Sequence, residues 1–277
     1  MENKEKDEKL FKMRHSLAHT MAAAVQRIYP DAKFGVGPAI NDGFYYDIDL
    51  GENKISEKNF GKIEKAMRRI IAEKQDFVRS EISIEEAISW AKETNQPYKL
   101  ELLNDLKNAG TTDAKILAEG YFELGNGAET VSFYTNGNYK DLCRGPHLSN
   151  TGEVGAFKLM RVAGAYWRGD EKNPQMQRLY GVAFETQEEL DEYLERMEEA
   201  KKRDHRKLGK ELDLYTVSPL VGIGLPLFTP RGTILRDVLA NYSNQLRQKY
   251  GFEKVWTPHI TKKDLYEKSG HWAKFGE

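Results

Sequence analysis

The chain opens on a charged stretch, residues 1–9, and turns amphipathic at Leu10. Phe11, Leu17, Met21, Val25 and Ile28 then recur at near-helical spacing, and Pro30 closes the pattern. A helix is predicted over 10–29, with 1–9 as a solvated, frayed tail. Segments 34–40 and 44–50 read as short strands joined by an Asn41-Asp42-Gly43 turn. Ser56 is a candidate N-cap for a helix to about Lys74, with Phe60, Ile63, Met67, Ile70 and Ile71 as its apolar stripe. A strand over 77–82 leads into a capping box, Ser83 with Glu86, and a helix through Trp90. Across 94–130 Pro97 and several glycines break the periodicity, and no element is assigned. Segments 130–134 and 139–143 flank Asn136-Gly137, a hairpin signal, and strands near 158–162 and 178–184 follow.

This mix predicts an α+β fold over 10–185, helices on a mostly antiparallel sheet. The texture changes after Thr186. Thr186 and Glu189 make a further capping box, and a charged helix runs to about Leu212 with Leu190, Leu194 and Met197 on its apolar side. Residues 186–212 are read as a linker helix. Residues 213–277 differ again: a Gly/Pro-rich segment over 221–232, a long helix over 233–250, and a strand over 252–256 that stops before Pro258. No internal repeat or low-complexity stretch stands out.

A length of 277 residues fits about two domains, and the hydrophobic fraction of 39% fits a globular protein. No apolar run approaches the roughly 20 residues that span a bilayer, so no membrane partner is expected. The charged N-terminus lacks the apolar core of a signal peptide. Cys143 is the single cysteine, which excludes an internal disulfide and fits a reducing cytoplasm. The net charge of −1 gives no sign of nucleic-acid binding. The basic run from Lys201 to Lys207 reads most simply as a solvated helix face, with phosphate contact as the alternative.

Candidate chemistry lies in two pairs. His15 and His19 are four residues apart on a predicted helix, which puts both imidazoles on one face. Such a pair suits two metal ligands or two groups gripping one substrate; the bland alternative is one surface and one packed histidine. The second pair lies in Asp141-Leu142-Cys143-Arg144-Gly145-Pro146-His147, where a strand enters a Gly-Pro turn. Cys143 and His147 could meet His15 and His19. Three imidazoles and a thiol are a plausible zinc set and equally a plausible metal-free polar pocket. Tyr45 and Tyr46 alternate faces on a strand, so one points inward and one outward. Lys99 falls in the unassigned region.

HSLAHTMAAAVQ, GPAINDGFYYDID, PYKLELL, DLCRGPHLSNTGEVGAFKLMRVAGAYWRGD and KKRDHRKLGKELDLY, in that order, resemble the threonyl-tRNA synthetases, a class II family, over nearly all of 13–277. The run DLCRGPH, then AGAYWRGD, then RDHRKLGKELDLY is the specific part. The resemblance implies that the first domain has the editing fold shared with alanyl-tRNA synthetases. It also implies hydrolysis of mischarged Ser-tRNA(Thr). It places catalytic roles on His15, Lys99, Asp141 and His147, and substrate contact on His19, Cys143 and either Tyr45 or Tyr46. In the alanyl relatives the same quartet binds zinc, whereas the threonyl reaction does without it, so metal binding by His15, His19, Cys143 and His147 stays open. Residues 213–277 resemble the opening of a class II core, an antiparallel-sheet domain. Its first signature motif, with Arg231 and Pro258, builds a homodimer interface. The resemblance further implies a ligase that joins L-threonine to tRNA(Thr) with ATP and Mg. Its ATP site, its catalytic-core zinc ligands (one zinc per subunit) and its anticodon-binding domain would lie beyond residue 277. Residues 1–277 alone are therefore expected not to charge tRNA; the alternatives are a zinc-dependent editing hydrolase of the alanyl type and a non-catalytic tRNA-binding or dimerising fragment.

Overall fold

The computed structural model describes residues 2–112, 127–222 and 224–272. In chain order the elements are α1 (Glu2–Ile28), β1 (Lys33–Phe34), β2 (Ala39–Ile40), β3 (Gly43–Asp49), α2 (Phe60–Ala72), β4 (Val78–Ser83), α3 (Ile84–Glu93) and α4 (Pro97–Ala109). They continue with β5 (Thr130–Asn136), β6 (Tyr139–Leu142), β7 (Ala156–Tyr166), β8 (Gln175–Phe184), α5 (Gln187–Lys202), α6 (His205–Glu211), β9 (Tyr215–Thr216), β10 (Leu227–Phe228), α7 (Pro230–Lys249) and α8 (Lys263–Lys268). The chain forms two compact units, Met1–Glu195 and Arg196–Glu277.

The first unit is α+β with antiparallel sheets, as the pattern predicts. Its main sheet has the order β1-β3-β8-β7 with β2 on β3, and a second sheet runs β4-β5-β6. Helices α1 and α2 share one core with the main sheet. Leu17, Met21, Val25, Ile63, Met67 and Ile70 meet Phe44, Tyr46 and Ile48, all essentially inaccessible to solvent. The stripe read on α2 is thus the buried face, with Ile71 only partly covered. A smaller core joins α3 and α4 to β5 through Ala87, Leu103, Leu106 and Phe133.

Several elements depart from expectation for identifiable reasons. The tail expected over 1–9 is helical from Glu2. Charge pairing holds it where an apolar stripe is missing: Lys12 meets Glu8 at 2.8 Å, and Lys9 reaches Glu185 at 2.9 Å. The strand expected over 34–40 splits into β1 and β2 around Pro38, which has no N–H to give a ladder. Pro97, taken as a breaker, is the first residue of α4, where a missing N–H leaves no helical bond unmade. The helix ends where Gly110 takes a φ of +66°. Of the unassigned region, residues 113–126 lie outside the described residues. The hairpin turn falls on Gly137-Asn138, one place later than expected, because Gly137 supplies the positive φ of +56° at the first turn position.

The linker helix is two helices. Asp204 interrupts it and caps α6, its carboxylate accepting the Arg206 N–H at 2.8 Å. In the second unit Thr229 caps α7 by accepting from Gly232 N–H at 3.2 Å, and β9 pairs with β10. The strand expected over 252–256 does not form, since no described segment runs beside it to complete a ladder. Among the described residues no helix is long and apolar enough to cross a membrane.

Leu17 is fully buried where α1 meets the sheet. Leu17→Ala is expected to lower the unfolding free energy by about 2–5 kcal/mol, read from urea transitions. A loss below about 1 kcal/mol would place α1 outside the folding core.

Candidate active site

The site forms where α1 crosses the start of the turn after β6. Helical spacing puts His15 and His19 on the same face of α1, their rings 5.3 Å apart. Strand β6 alternates, so Tyr139 and Asp141 share its buried face. The chain then turns at Gly145, whose φ is +78° and where a side chain would collide with Tyr134. That turn brings His147 back over α1. Its ring lies 4.1 Å from His15 and 4.3 Å from His19, and stacks on Phe77 at 5.0 Å. The quartet predicted from sequence is therefore assembled, with one donor atom of each residue within 4.8 Å of the others.

The polar contacts of the cluster fix its protons. His15 Nδ1 lies 3.1 Å from the Pro146 carbonyl, which can only accept, so Nδ1 carries the hydrogen. His15 Nε2 is then a bare acceptor 3.4 Å from Cys143 Sγ. His147 Nε2 lies 3.3 Å from the same sulfur, and His147 Nδ1 lies 3.2 Å from Ser16 Oγ. The Leu148 N–H donates to Ser16 Oγ at 3.0 Å. One arrangement uses every contact: Ser16 O–H donates to His147 Nδ1, His147 Nε2–H to the sulfur, and the thiol to His15 Nε2. Ser16 and Leu148 are members of the site that sequence reading missed; a serine beside His15 carried no signal of its own.

Behind the quartet lies a buried ion pair. Lys99 Nζ is 2.6 Å from Asp141 Oδ1, and these residues are only 3% and 2% exposed. Tyr46 donates a short hydrogen bond to Asp141 Oδ2 and accepts one from Lys99 Nζ at 3.2 Å. Tyr139 donates to the same oxygen at 3.3 Å, and His19 Nε2 lies 3.7 Å from it. Sequence reading did not single out Tyr139; its two-residue spacing from Asp141 was the available signal. Tyr45 does not join. It lies on the opposite face of β3, against Tyr180 at 5.5 Å and under the Arg178 guanidinium at 4.2 Å, because alternation sends neighbours to opposite sides. Tyr46 is the tyrosine of the site. Arg231 and Pro258 lie in the second unit, both exposed.

Burial sets the ionisation. It holds His15 below the ordinary imidazole range, and it does so more strongly for His19 and His147, aided by repulsion from neighbouring cationic groups. It pushes the Cys143 thiol up to about 12. The cluster is thus neutral near pH 7, and the charges nearby are those of Lys99 and Asp141. His19 Nδ1 is buried without a partner. Together with the donor set, that atom fits a zinc site in chemistry. Tetrahedral zinc ligands stand roughly 3.3–3.8 Å apart, so spacings up to 4.8 Å would have to contract.

Residues 131–180, which carry Asp141, Cys143 and His147, match the model of the threonyl and alanyl tRNA synthetase second additional domain. Fold and site thus define an aminoacyl-tRNA synthetase domain of the editing type. The chain is 46% identical over 263 residues to a threonine–tRNA ligase of Cytophaga hutchinsonii, covering 95% of this chain and 38% of that protein. The ligase of Porphyromonas gingivalis is 48% identical over 264 residues, covering 95% and 37%. The ligase of Acetivibrio thermocellus is 47% identical over 264 residues, covering 95% and 38%. The chain is thus similar to threonine–tRNA ligases over 95% of its own length, and it spans less than two fifths of the length of these relatives.

The neutral histidines make stability depend on pH. The unfolded chain takes up protons near pH 6.5 that the folded cluster refuses, so the stability is complete above about pH 6.5 and falls as pH drops below it. Urea unfolding at about pH 5.5 is expected to give roughly 1 kcal/mol less per histidine than at about pH 7.5. His147→Asn should reduce the difference. A flat profile across that interval would show that the histidines titrate normally in the folded protein.

Proposed function

We propose that the first unit hydrolyses the ester of mischarged Ser-tRNA(Thr), releasing serine and the free tRNA 3′ end. The observation that carries this is the quartet set against the buried Lys99–Asp141 pair, in a chain similar to the threonine–tRNA ligase family. Such a site has a purpose in that family. Threonine exceeds serine by one methyl group, and a pocket built for threonine rejects serine by only about 1–3 kcal/mol. A second, smaller site applies the opposite test.

Water adds to the ester carbonyl, the bond to the ribose oxygen breaks, and the proton from water ends on that oxygen. A neutral His15 orients the water, which takes the place of the Cys143 thiol as donor to Nε2. Lys99 stabilises negative charge on the carbonyl or ribose oxygen. Asp141 has Lys99 on one oxygen and tyrosines on the other, so it acts by fixing Lys99 and Tyr46, while His147, held by Ser16 and the Cys143 sulfur, lines the seryl subsite. His19, Cys143 and Tyr46 shape the small sieve.

For the whole ligase, we propose ligation of L-threonine to tRNA(Thr) with ATP and Mg, in the cytoplasm, with zinc held in the catalytic core. Homodimerisation through α7, with Arg231 and Pro258, is supported by the exposure of Ile234, Val238, Leu239 and Tyr242 along that helix.

The hydrolysis is tested by serial replacement in a Ser-tRNA(Thr) deacylation assay. His15→Ala and Lys99→Ala are each expected to slow deacylation by about 100-fold or more. Wild-type rates in both variants would sink the mechanism.

The alternative of a zinc-dependent hydrolase is favoured by one observation, the unpartnered His19 Nδ1. There His15, His19, Cys143 and His147 would hold the metal, which would polarise water and carbonyl. In the metal-free mechanism proposed here, chelation is expected to leave the rate within about two-fold of the untreated protein. About one zinc per chain, with activity lost on chelation and restored by zinc, would establish the rival.

A further inference from the structure

Lys99 is carried in the first turn of α4, so its ammonium is placed only as well as the helix is held. Around its axis, α4 turns Lys99, Leu103 and Leu106 inward, at 3%, 0% and 8% exposure. The opposite side carries Glu101 and Asp105, one turn apart. Both are gripped by the short element between β7 and β8, where Trp167-Arg168-Gly169 falls. The Trp167 Nε1–H donates to Glu101 Oε2 at 2.9 Å, and the Trp167 ring, 4% exposed, packs on Tyr98 at 5.0 Å. Arg168 Nε stands 2.9 Å from Glu101 Oε1, and its Nη2 makes a short contact with Asp105. Arg168 adopts a φ of +56°, which a non-glycine residue rarely takes and holds only where its surroundings enforce it.

We propose that Trp167 and Arg168 are positioning residues that fix the rotation of α4 and thereby keep the Lys99 ammonium on Asp141 and aimed into the site. The proposal rests on the editing reading above. The motif AYWRGD, whose residues touch none of the quartet, then has a role in the chemistry. A helix with its side chains has a radius of about 5–6 Å, so a rotation of about 10° moves a side-chain tip by about 1 Å. A displacement of that size costs on the order of 100-fold in rate. Other ties of α4 hold its inner side and its two ends: Leu103 and Leu106 pack on Phe133, the Leu106 carbonyl accepts from Ala128 N–H at 2.8 Å, and Lys107 lies 3.3 Å from Glu85. Gln96 accepts from Phe34 N–H at 2.9 Å and donates to Ala32 O at 3.1 Å, and Tyr98 donates to Asp49 at 2.7 Å. The Trp-Arg grip holds Glu101 and Asp105, on the side of α4 opposite Lys99.

The test is Ser-tRNA(Thr) deacylation by the full 277-residue chain, with kcat and KM separated and the thermal midpoint recorded. Arg168→Ala is expected to lower kcat by about 10-fold or more with KM within about two-fold. Arg168→Lys should recover at least about three-fold of that loss. In a Lys99→Gln background, where the ammonium is already gone, Arg168→Ala should cost less than about two-fold. An unchanged kcat, or an equal fold-loss in both backgrounds, would overturn the proposal. If Arg168→Ala does not fold, Trp167→Phe decides instead. It keeps an aromatic ring, smaller than the indole, and removes the N–H, and is expected to lower kcat by about three-fold; no change would overturn the proposal. No hydrolysis by the wild-type chain would overturn the editing reading, and the positioning role would fall with it.

Discussion

The Lys99–Asp141 pair is the constraint on which the rest of the first unit depends. Both groups are almost fully removed from water, and desolvating two ions costs several kcal/mol each before their attraction returns anything. The pair is tolerable only when every remaining lone pair and proton is satisfied. Strand β3 supplies Tyr46, β6 supplies Tyr139 and Asp141, and α4 supplies Lys99. Three elements distant in sequence are thus required to meet at one point. Loss of any partner leaves a buried charge exposed to a low dielectric, so the pair specifies the arrangement more than it stabilises it.

A contrast of charge follows. The quartet in front of that pair is kept neutral by burial, while behind it Lys99 and Asp141 stand 2.6 Å apart as an ion pair. An uncharged imidazole can accept a proton from water, which a protonated one cannot. Burial that pushes the Cys143 thiol up to about 12 disfavours the thiolate, the form that attacks carbon. Hydrolysis by positioned water suits this division better than a covalent thioester does.

Much of this was legible in the sequence where the signal was local. The capping box at Ser83, the stripe on α2 and the i, i+4 pair on α1 depend on neighbours within a turn or two, and each is found. The quartet was legible because its members are chemically unusual and fall in short motifs. What escaped depends on distant partners. Pro97 reads equally as the end or the beginning of a helix, and only the sheet contacts of Gln96 decide which. The helicity of residues 2–9 depends in part on Glu185, and the failure of 252–256 to become a strand depends on the lack of a neighbour among the described residues. Tyr139 looked like an ordinary strand residue, because nothing nearby in sequence announces an ion pair.

The two units obey opposite rules of burial, and the difference bears on what each can do by itself. The first closes a core around α1, with its polar interior saturated except at His19 Nδ1 and Asn136 Oδ1 among the described buried side-chain atoms, Arg168 Nε having its ion pair with Glu101. The first of these two lies in the quartet. An unsatisfied buried polar atom costs about 1–3 kcal/mol. At His19 it is what a binding pocket shaped for a polar partner shows. The second unit, in contrast, leaves Leu220, Tyr250, Trp256 and Ile260 more than three quarters exposed. Apolar side chains on that scale mark a face suited to contact. The geometry at the quartet, by contrast, is fixed by the contacts of α1, β6 and the turn after it, all within the first unit.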